Sequence, residues 1–144
     1  MKVLCVCTGN ICRSAMLQYL LKQELDKQGI TDFTLAGAGT ETVDGAPPTP
    51  HAVTAMKEIG IDITGHRSRQ LTTAIVDDYD VFIAMEPHHG VTLAFIYGAD
   101  PEKIIIPGNG IPDPFGRDLP VYRRCRDLLC DAVPQIIADL KTFL

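Results

Sequence analysis

A chain of 144 residues, 46% hydrophobic and with a formal net charge of −5, suits one domain around one core, which at this size buries about two-thirds of the unfolded surface; the acidic balance disfavours wide contact with nucleic acid. No apolar run approaches the ~20 residues of a membrane span, so no membrane contact is expected. Five cysteines, an odd count with no secretory leader ahead of them, indicate a reducing, cytoplasmic setting in which thiols serve chemistry and not cross-linking.

The first apolar run, Val3-Leu4-Cys5-Val6, has the β-branched content of a buried strand and predicts one near residues 2–7. Ser14 to Leu21 has helical spacing and predicts a helix over 14–28. A second strand is expected near 33–37. Gly45-Ala46-Pro47-Pro48-Thr49-Pro50 reads as a stiff loop entering a helix over 50–59, with Thr49 as N-cap and Pro50 at the first helical position. Strands near 80–84 and 103–106 alternate with helices over 88–97 and 119–142, and Pro134 should kink or interrupt the last of these. This alternation, without internal repeats, predicts an α/β fold: a single three-layer domain, residues 1–144, with a central four-stranded parallel sheet and helices on both faces. Right-handed crossovers place ligands at the carboxyl ends of such strands, where strand order reverses. Cys7 ends the first strand.

Cys7-Thr8-Gly9-Asn10-Ile11-Cys12-Arg13-Ser14 falls where that strand stops and the helix begins. A turn of this kind aims successive backbone N–H groups at one point, and the helix adds its positive end, so the concavity binds a dianion. Cys7 lies beside it, where the same field favours a nucleophilic thiolate. Arg13 offers a planar fork for two phosphate oxygens while sulfur attacks from behind. The pattern therefore points to phosphoryl transfer through a phosphocysteine; it is not a Walker A loop, since no Gly-Lys-[Ser/Thr] follows. The leaving oxygen needs a proton, and Ile111-Pro112-Asp113-Pro114-Phe115-Gly116 offers Asp113 in a loop stiffened by two prolines. By itself an Asp-Pro pair is usually only a turn.

These strings, together with Ala38-Gly39-Thr40, Pro47-Pro48, Gly65-His66-Arg67-Ser68-Arg69-Gln70-Leu71 and Ala84-Met85, resemble the low-molecular-weight protein tyrosine phosphatases over most of the chain. The resemblance implies a sheet of order 2-1-3-4, Cys7 as nucleophile, Arg13 as phosphate clamp and Asp113 as acid and then base. It implies that Thr8, Gly9, Asn10, Ile11, Cys12, Arg13 and Ser14 form the phosphate loop. Asn10 would shape that loop, Ser14 would hydrogen-bond Cys7, and His66 would brace Asn10; without the resemblance His66 reads equally well as a loop histidine. Neither metal nor cofactor is implied, because Arg13 and the loop amides neutralise the phosphate charge.

Ile11, Thr40 and Phe115 are the expected walls of the substrate pocket. The chain has no tryptophan to sandwich a phenyl ring, and Asp113-Pro114-Phe115-Gly116, Thr49-Pro50-His51-Ala52-Val53 and Tyr122 look more like the family's protein-arginine phosphatases. Ile11, however, is typical of the tyrosine enzymes, and an apolar side chain at the pocket mouth favours a flat ring and gives a guanidinium no hydrogen bond. Phosphotyrosine in proteins is therefore the expected substrate and phosphoarginine the alternative, with a tyrosine kinase as the implied counterpart and a monomer or weak dimer as the expected state. Arsenate reductases share a similar cysteine loop but need cysteines in the middle of the chain, and none lies between residues 13 and 124. A metal module on Cys5, Cys7 and Cys12 would lack a fourth ligand and face Arg13; a silent phosphate reader would have no use for Asp113. Cys12 is the expected partner of Cys7 in a reversible disulfide after oxidation, whereas Cys5, Cys125 and Cys130 read as strand and core residues. Ala15, Gln18 and Gly37 depart from the family, which usually has proline, glutamate and serine there.

Overall fold

The computed structural model describes residues 1–144. Strand β1 (Lys2–Cys7) leads into helix α1 (Arg13–Lys27), followed by β2 (Thr34–Gly39), α2 (Pro50–Lys57), α3 (Thr73–Asp77), β3 (Val81–Ala84), α4 (Pro87–Phe95), β4 (Ile104–Ile105) and α5 (Leu119–Lys141). The strands form one parallel sheet of order β2-β1-β3-β4. Order therefore reverses between β1 and β3, the central strands, and both are buried on both faces, as parallel strands under helices must be.

Side-chain alternation along β1 feeds two cores. Val3, Cys5 and Cys7 join Met16, Leu17 and Leu21 of α1, Met56 of α2, and Leu129, Ile136 and Leu140 of α5. Leu4 and Val6 point the other way, to Phe82, Ala84, Val76 of α3 and Leu93 of α4. Cys7 thus leaves the sheet on the face covered by α1 and α5, and both ends of the loop that follows are anchored in packed structure. Cys125 is buried in the first core and Cys130 packs against it.

Several boundaries differ from those read in the sequence, for physical reasons. β2 runs on to Gly39 because its register with β1 continues to Cys7. At the sheet edge, β4 shrinks to Ile104–Ile105, which pair only with Phe82 and Ile83. Helix α3, not expected at all, spans too few residues for a hydrophobic period; Thr72 caps it by accepting from the Ile75 N–H at 3.1 Å. Pro134 does not interrupt α5. The ring lies on the exposed side, and Val133, Ile136, Ile137 and Leu140 hold the helix against the core on the other. Thr49 does stand at the N-cap position of α2 with Pro50 after it, but its side chain makes no capping bond; its backbone N–H instead donates to Ile11 O at 2.9 Å, tying α2 to the loop after β1.

Candidate active site

Cys7 is the last residue of β1 and Arg13 the first of α1, with Cys12 at the N-cap position. No side chain caps α1, so the N–H groups of the loop and first turn remain available to an anion. Asn10 is the one non-glycine residue with a positive φ, 55°, a conformation asparagine tolerates better than most residues. It is pinned from every side: its Oδ1 accepts from Arg69 N at 3.1 Å, its carbonyl accepts from His66 Nε2 at 2.7 Å, and its Nδ2 donates to Ser14 Oγ at 2.8 Å. Because Ser14 Oγ is already an acceptor there, its own proton is free to point at Cys7 Sγ, 3.0 Å away. Asn10 N donates to the same sulfur at 3.3 Å. Two donors converge on Cys7, an environment that stabilises negative charge on sulfur.

Arg13 is almost wholly buried, with 1% of its side chain exposed. Its Nη1 donates to Ile111 O at 2.8 Å and pairs with Glu86 Oε2 at 2.8 Å, which fixes the guanidinium plane. Nη2 lies 3.4 Å from Asp113 Oδ2, and Nε, buried, has no protein partner. The edge carrying Nε and Nη2 is thus the one that can meet a phosphate. Asp113 Oδ1 accepts from Phe115 N at 3.0 Å, and the loop bearing both is tied to the end of β3 by Ile111 N donating to Met85 O at 2.7 Å. Cys7, Ile11, Arg13, Asp113 and Phe115 surround a pocket of about 190 Å³, room for a phosphoryl group and the start of its ester.

The Cys7 sulfur, a clamped guanidinium and a carboxyl now stand around one small cavity. The family model described as low molecular weight phosphotyrosine protein phosphatase matches residues 2–143. The chain belongs to that family.

Its relatives carry both substrate names. A protein-arginine-phosphatase of Bacillus subtilis (strain 168) is 31% identical over 98% of this chain and 97% of its own length. A probable low molecular weight protein-tyrosine-phosphatase, EpsP of Ralstonia nicotianae, is 32% identical over 88% of this chain and 87% of its own. Among solved structures, the YwlE arginine phosphatase, in a cysteine-to-serine mutant with a phosphorylated active-site serine, superposes with a TM-score of 0.90 at 30% identity, covering 98% of this chain and 96% of that one.

One pocket assignment needs correction, and other residues were not foreseen. Thr40 does not line the cavity; its N–H donates to Cys7 O at 2.9 Å, and the wall is made by its neighbours Glu41 and Thr42. Asn10 and Ser14 likewise act from behind the loop, both fully buried. Glu86, unsuspected in the sequence, holds Arg13; burial alone would raise its carboxyl, but the hydrogen bonds from Arg13 and His88 outweigh it and keep it below the usual range. His89 is fully buried. Its Nδ1 accepts from Glu86 N at 3.1 Å, so the proton sits on Nε2, which donates to Thr8 Oγ1 at 2.9 Å. Glu86, His88 and His89 bring their ligand atoms within 4.8 Å of one another, but both His89 nitrogens and the Glu86 carboxylate are already engaged. The only early signal was the dense Glu86-Pro87-His88-His89 string after Met85.

Burial, with repulsion from His88 and Arg13, pushes His89 down to about 4. In the unfolded chain the imidazole titrates near ~6.5. As pH falls through the window from about 6.5 to 4, the unfolded state binds a proton that the folded state refuses, so stability falls with it, by about 2–3 kcal/mol at pH 4.5. Burial lowers His66 too, with the same sign. Urea unfolding at pH 7 and pH 4.5 should show this loss, and His89→Gln should make the profile flatter; an equally steep profile in the variant would assign the loss elsewhere.

Gly37 on β2 explains itself sterically. A Cβ there would lie 2.6 Å from Asn10 Nδ2 and 3.0 Å from Gln18 Oε1. Gln18 is flexible and has room to give, but the Asn10 amide is held at both ends and cannot retreat without releasing Ser14 or Arg69. Gly37→Ala is therefore expected to lower kcat about 10- to 100-fold through a misplaced loop, with KM for a simple aryl phosphate moving less. An unchanged kcat in a variant of normal melting temperature would show that Asn10 can shift at no cost to the site.

Proposed function

We propose that this protein hydrolyses phosphotyrosine in protein substrates, without a metal, through a phosphocysteine intermediate. The observation that carries the reading is the convergence on one cavity of Cys7, with donors Ser14 and Asn10 on its sulfur, and of Asp113 and the unpartnered Nε edge of Arg13. Phosphate oxygens take the Arg13 edge and the loop N–H groups, and Asp113 acts in its acid form beside the ester oxygen. Sulfur attacks phosphorus as the P–O ester bond breaks, and Asp113 gives its proton to the leaving oxygen. The Asp113 carboxylate then takes a proton from a water that attacks phosphorus, breaking P–S and regenerating the Cys7 thiolate with release of inorganic phosphate. The guanidinium and loop amides are aimed at the equatorial oxygens throughout, supplying the electrostatic stabilisation that such transfers need.

Ile11 on the pocket wall favours a flat aromatic group over a guanidinium, which would find no partner on isoleucine. The natural counterpart is a protein tyrosine kinase. Oxidised Cys7 is within the same loop as Cys12, but burial, with the charge of Cys7, pushes Cys12 up to about 12, so it would trap a sulfenic acid as a neutral thiol, and slowly.

The test is kcat/KM for a phosphotyrosine peptide and a phosphoarginine peptide side by side, in chelator, for the wild type and Ile11→Thr. Phosphotyrosine is expected to be preferred by the wild type, with Ile11→Thr moving the ratio towards phosphoarginine. Preference for phosphoarginine in the wild type would overturn the substrate assignment and leave the chemistry standing.

A further inference from the structure

We infer that Glu41 makes the site selective for phosphotyrosines flanked by a basic residue, the cation of a neighbouring lysine or arginine meeting this carboxylate at the pocket rim. The inference rests on the phosphotyrosine reading above. Glu41 shares the cavity wall with Cys7, Arg13, Asp113, Ile11 and Phe115, so an unpaired carboxylate stands at the mouth of a site built for a dianion. Asp113, the other carboxylate there, lies on Arg13. Glu41 has no lysine, arginine or histidine within ion-pair distance, since none of the chain's salt bridges includes it.

Nor is its placement an accident of a loose loop. The Glu41 N–H donates to Thr8 O at 3.0 Å and the Thr40 N–H to Cys7 O at 2.9 Å, bolting the segment to the phosphate loop. From the other side, Gln70 Nε2 donates to Thr40 O at 3.0 Å and Gln70 Oε1 accepts from Thr42 N at 2.8 Å. A carboxylate carried on a backbone fixed in this way opposes an incoming phosphate ester at the rim, and a positive charge on the substrate beside the phosphorylated residue offsets that repulsion. The remainder of the rim suits such a group: Phe115, 61% exposed, offers a ring face to a guanidinium or ammonium stem.

The experiment compares kcat/KM for two phosphotyrosine peptides that differ only in lysine or glutamate beside the phosphorylated residue, and for a phosphoarginine peptide with neutral flanks. Wild type, Glu41→Gln and Glu41→Lys are each measured at low and high salt. The wild type should favour the lysine peptide about three- to tenfold, Glu41→Gln should bring the ratio near one, and Glu41→Lys should reverse it. Added salt should shrink the ratio in the wild type. A ratio that responds to neither substitution overturns the inference. So does a Glu41→Gln variant that keeps the lysine preference but loses phosphoarginine cleavage, because Glu41 would then serve the phosphorylated group itself. Failure of the wild type to cleave either phosphotyrosine peptide overturns the substrate reading, a result distinct from a ratio that does not move.

Discussion

Cys7→Ser is expected to abolish turnover, with kcat down at least about 10⁴-fold, while inorganic phosphate still binds. The two halves of this result come from different atoms. On the proposed reading phosphate is held by the loop N–H groups and by Arg13, whose plane is set by Ile111 O and Glu86, and none of these groups is the sulfur. Attack depends on it entirely. Both groups that reach Cys7 Sγ, the Asn10 N–H and the Ser14 hydroxyl, are donors, well suited to a thiolate and useless for removing a proton from a serine hydroxyl. The Asp113 carboxylate on the cavity wall is engaged with Arg13. Stopped-flow assays with an activated aryl phosphate and calorimetric titration with phosphate read the two halves separately. Activity within tenfold of the wild type would move the nucleophile elsewhere, and loss of phosphate binding together with turnover would mean that sulfur also shapes the loop.

Asp113→Ala should divide substrates by their leaving groups. For phosphotyrosine or phenyl phosphate, whose oxygen departs as a basic phenoxide, the loss should be about 10²–10⁴-fold in kcat. An activated nitrophenyl phosphate leaves without a proton and should lose less than about tenfold in the first step. The side chain is 44% exposed and its one backbone bond is to Phe115 N within its own loop, so the fold has little at stake. KM for the activated ester should fall at the same time, because Arg13 no longer exchanges the Asp113 carboxylate for the phosphate on binding. Equal first-step losses on both esters would show that Asp113 is not the acid.

The Cys7-to-Arg13 spacing was readable because everything it needs is local. A strand end, a tight turn and a helix start follow one another in the chain, and the fold rule for parallel sheets selects the same edge. Asp113 stands a hundred positions away in a string that by itself reads as a turn; only the resemblance singled it out, and the 3.4 Å approach to Arg13 puts geometry behind it. The helix α5 could be read from its period, although Pro134 argued against its continuity; buried side chains on the opposite face decided in favour of the helix.

What the sequence by itself determined is the order of strands and helices apart from α3, and the placing of a cysteine and an arginine across the turn at the end of β1, since these follow from periodicity, turn geometry and residue type over short stretches. Only the tertiary structure decided how that chemistry is aimed. Glu86 and Ile111 reach Arg13 from 73 and 98 positions away in the chain, His89 fixes Thr8, the space left by Gly37 is filled by the Asn10 amide, and Glu41 in place of Thr40 faces the cavity. Such contacts depend on where the sheet brings distant loops together, and no local pattern of residues encodes that meeting point.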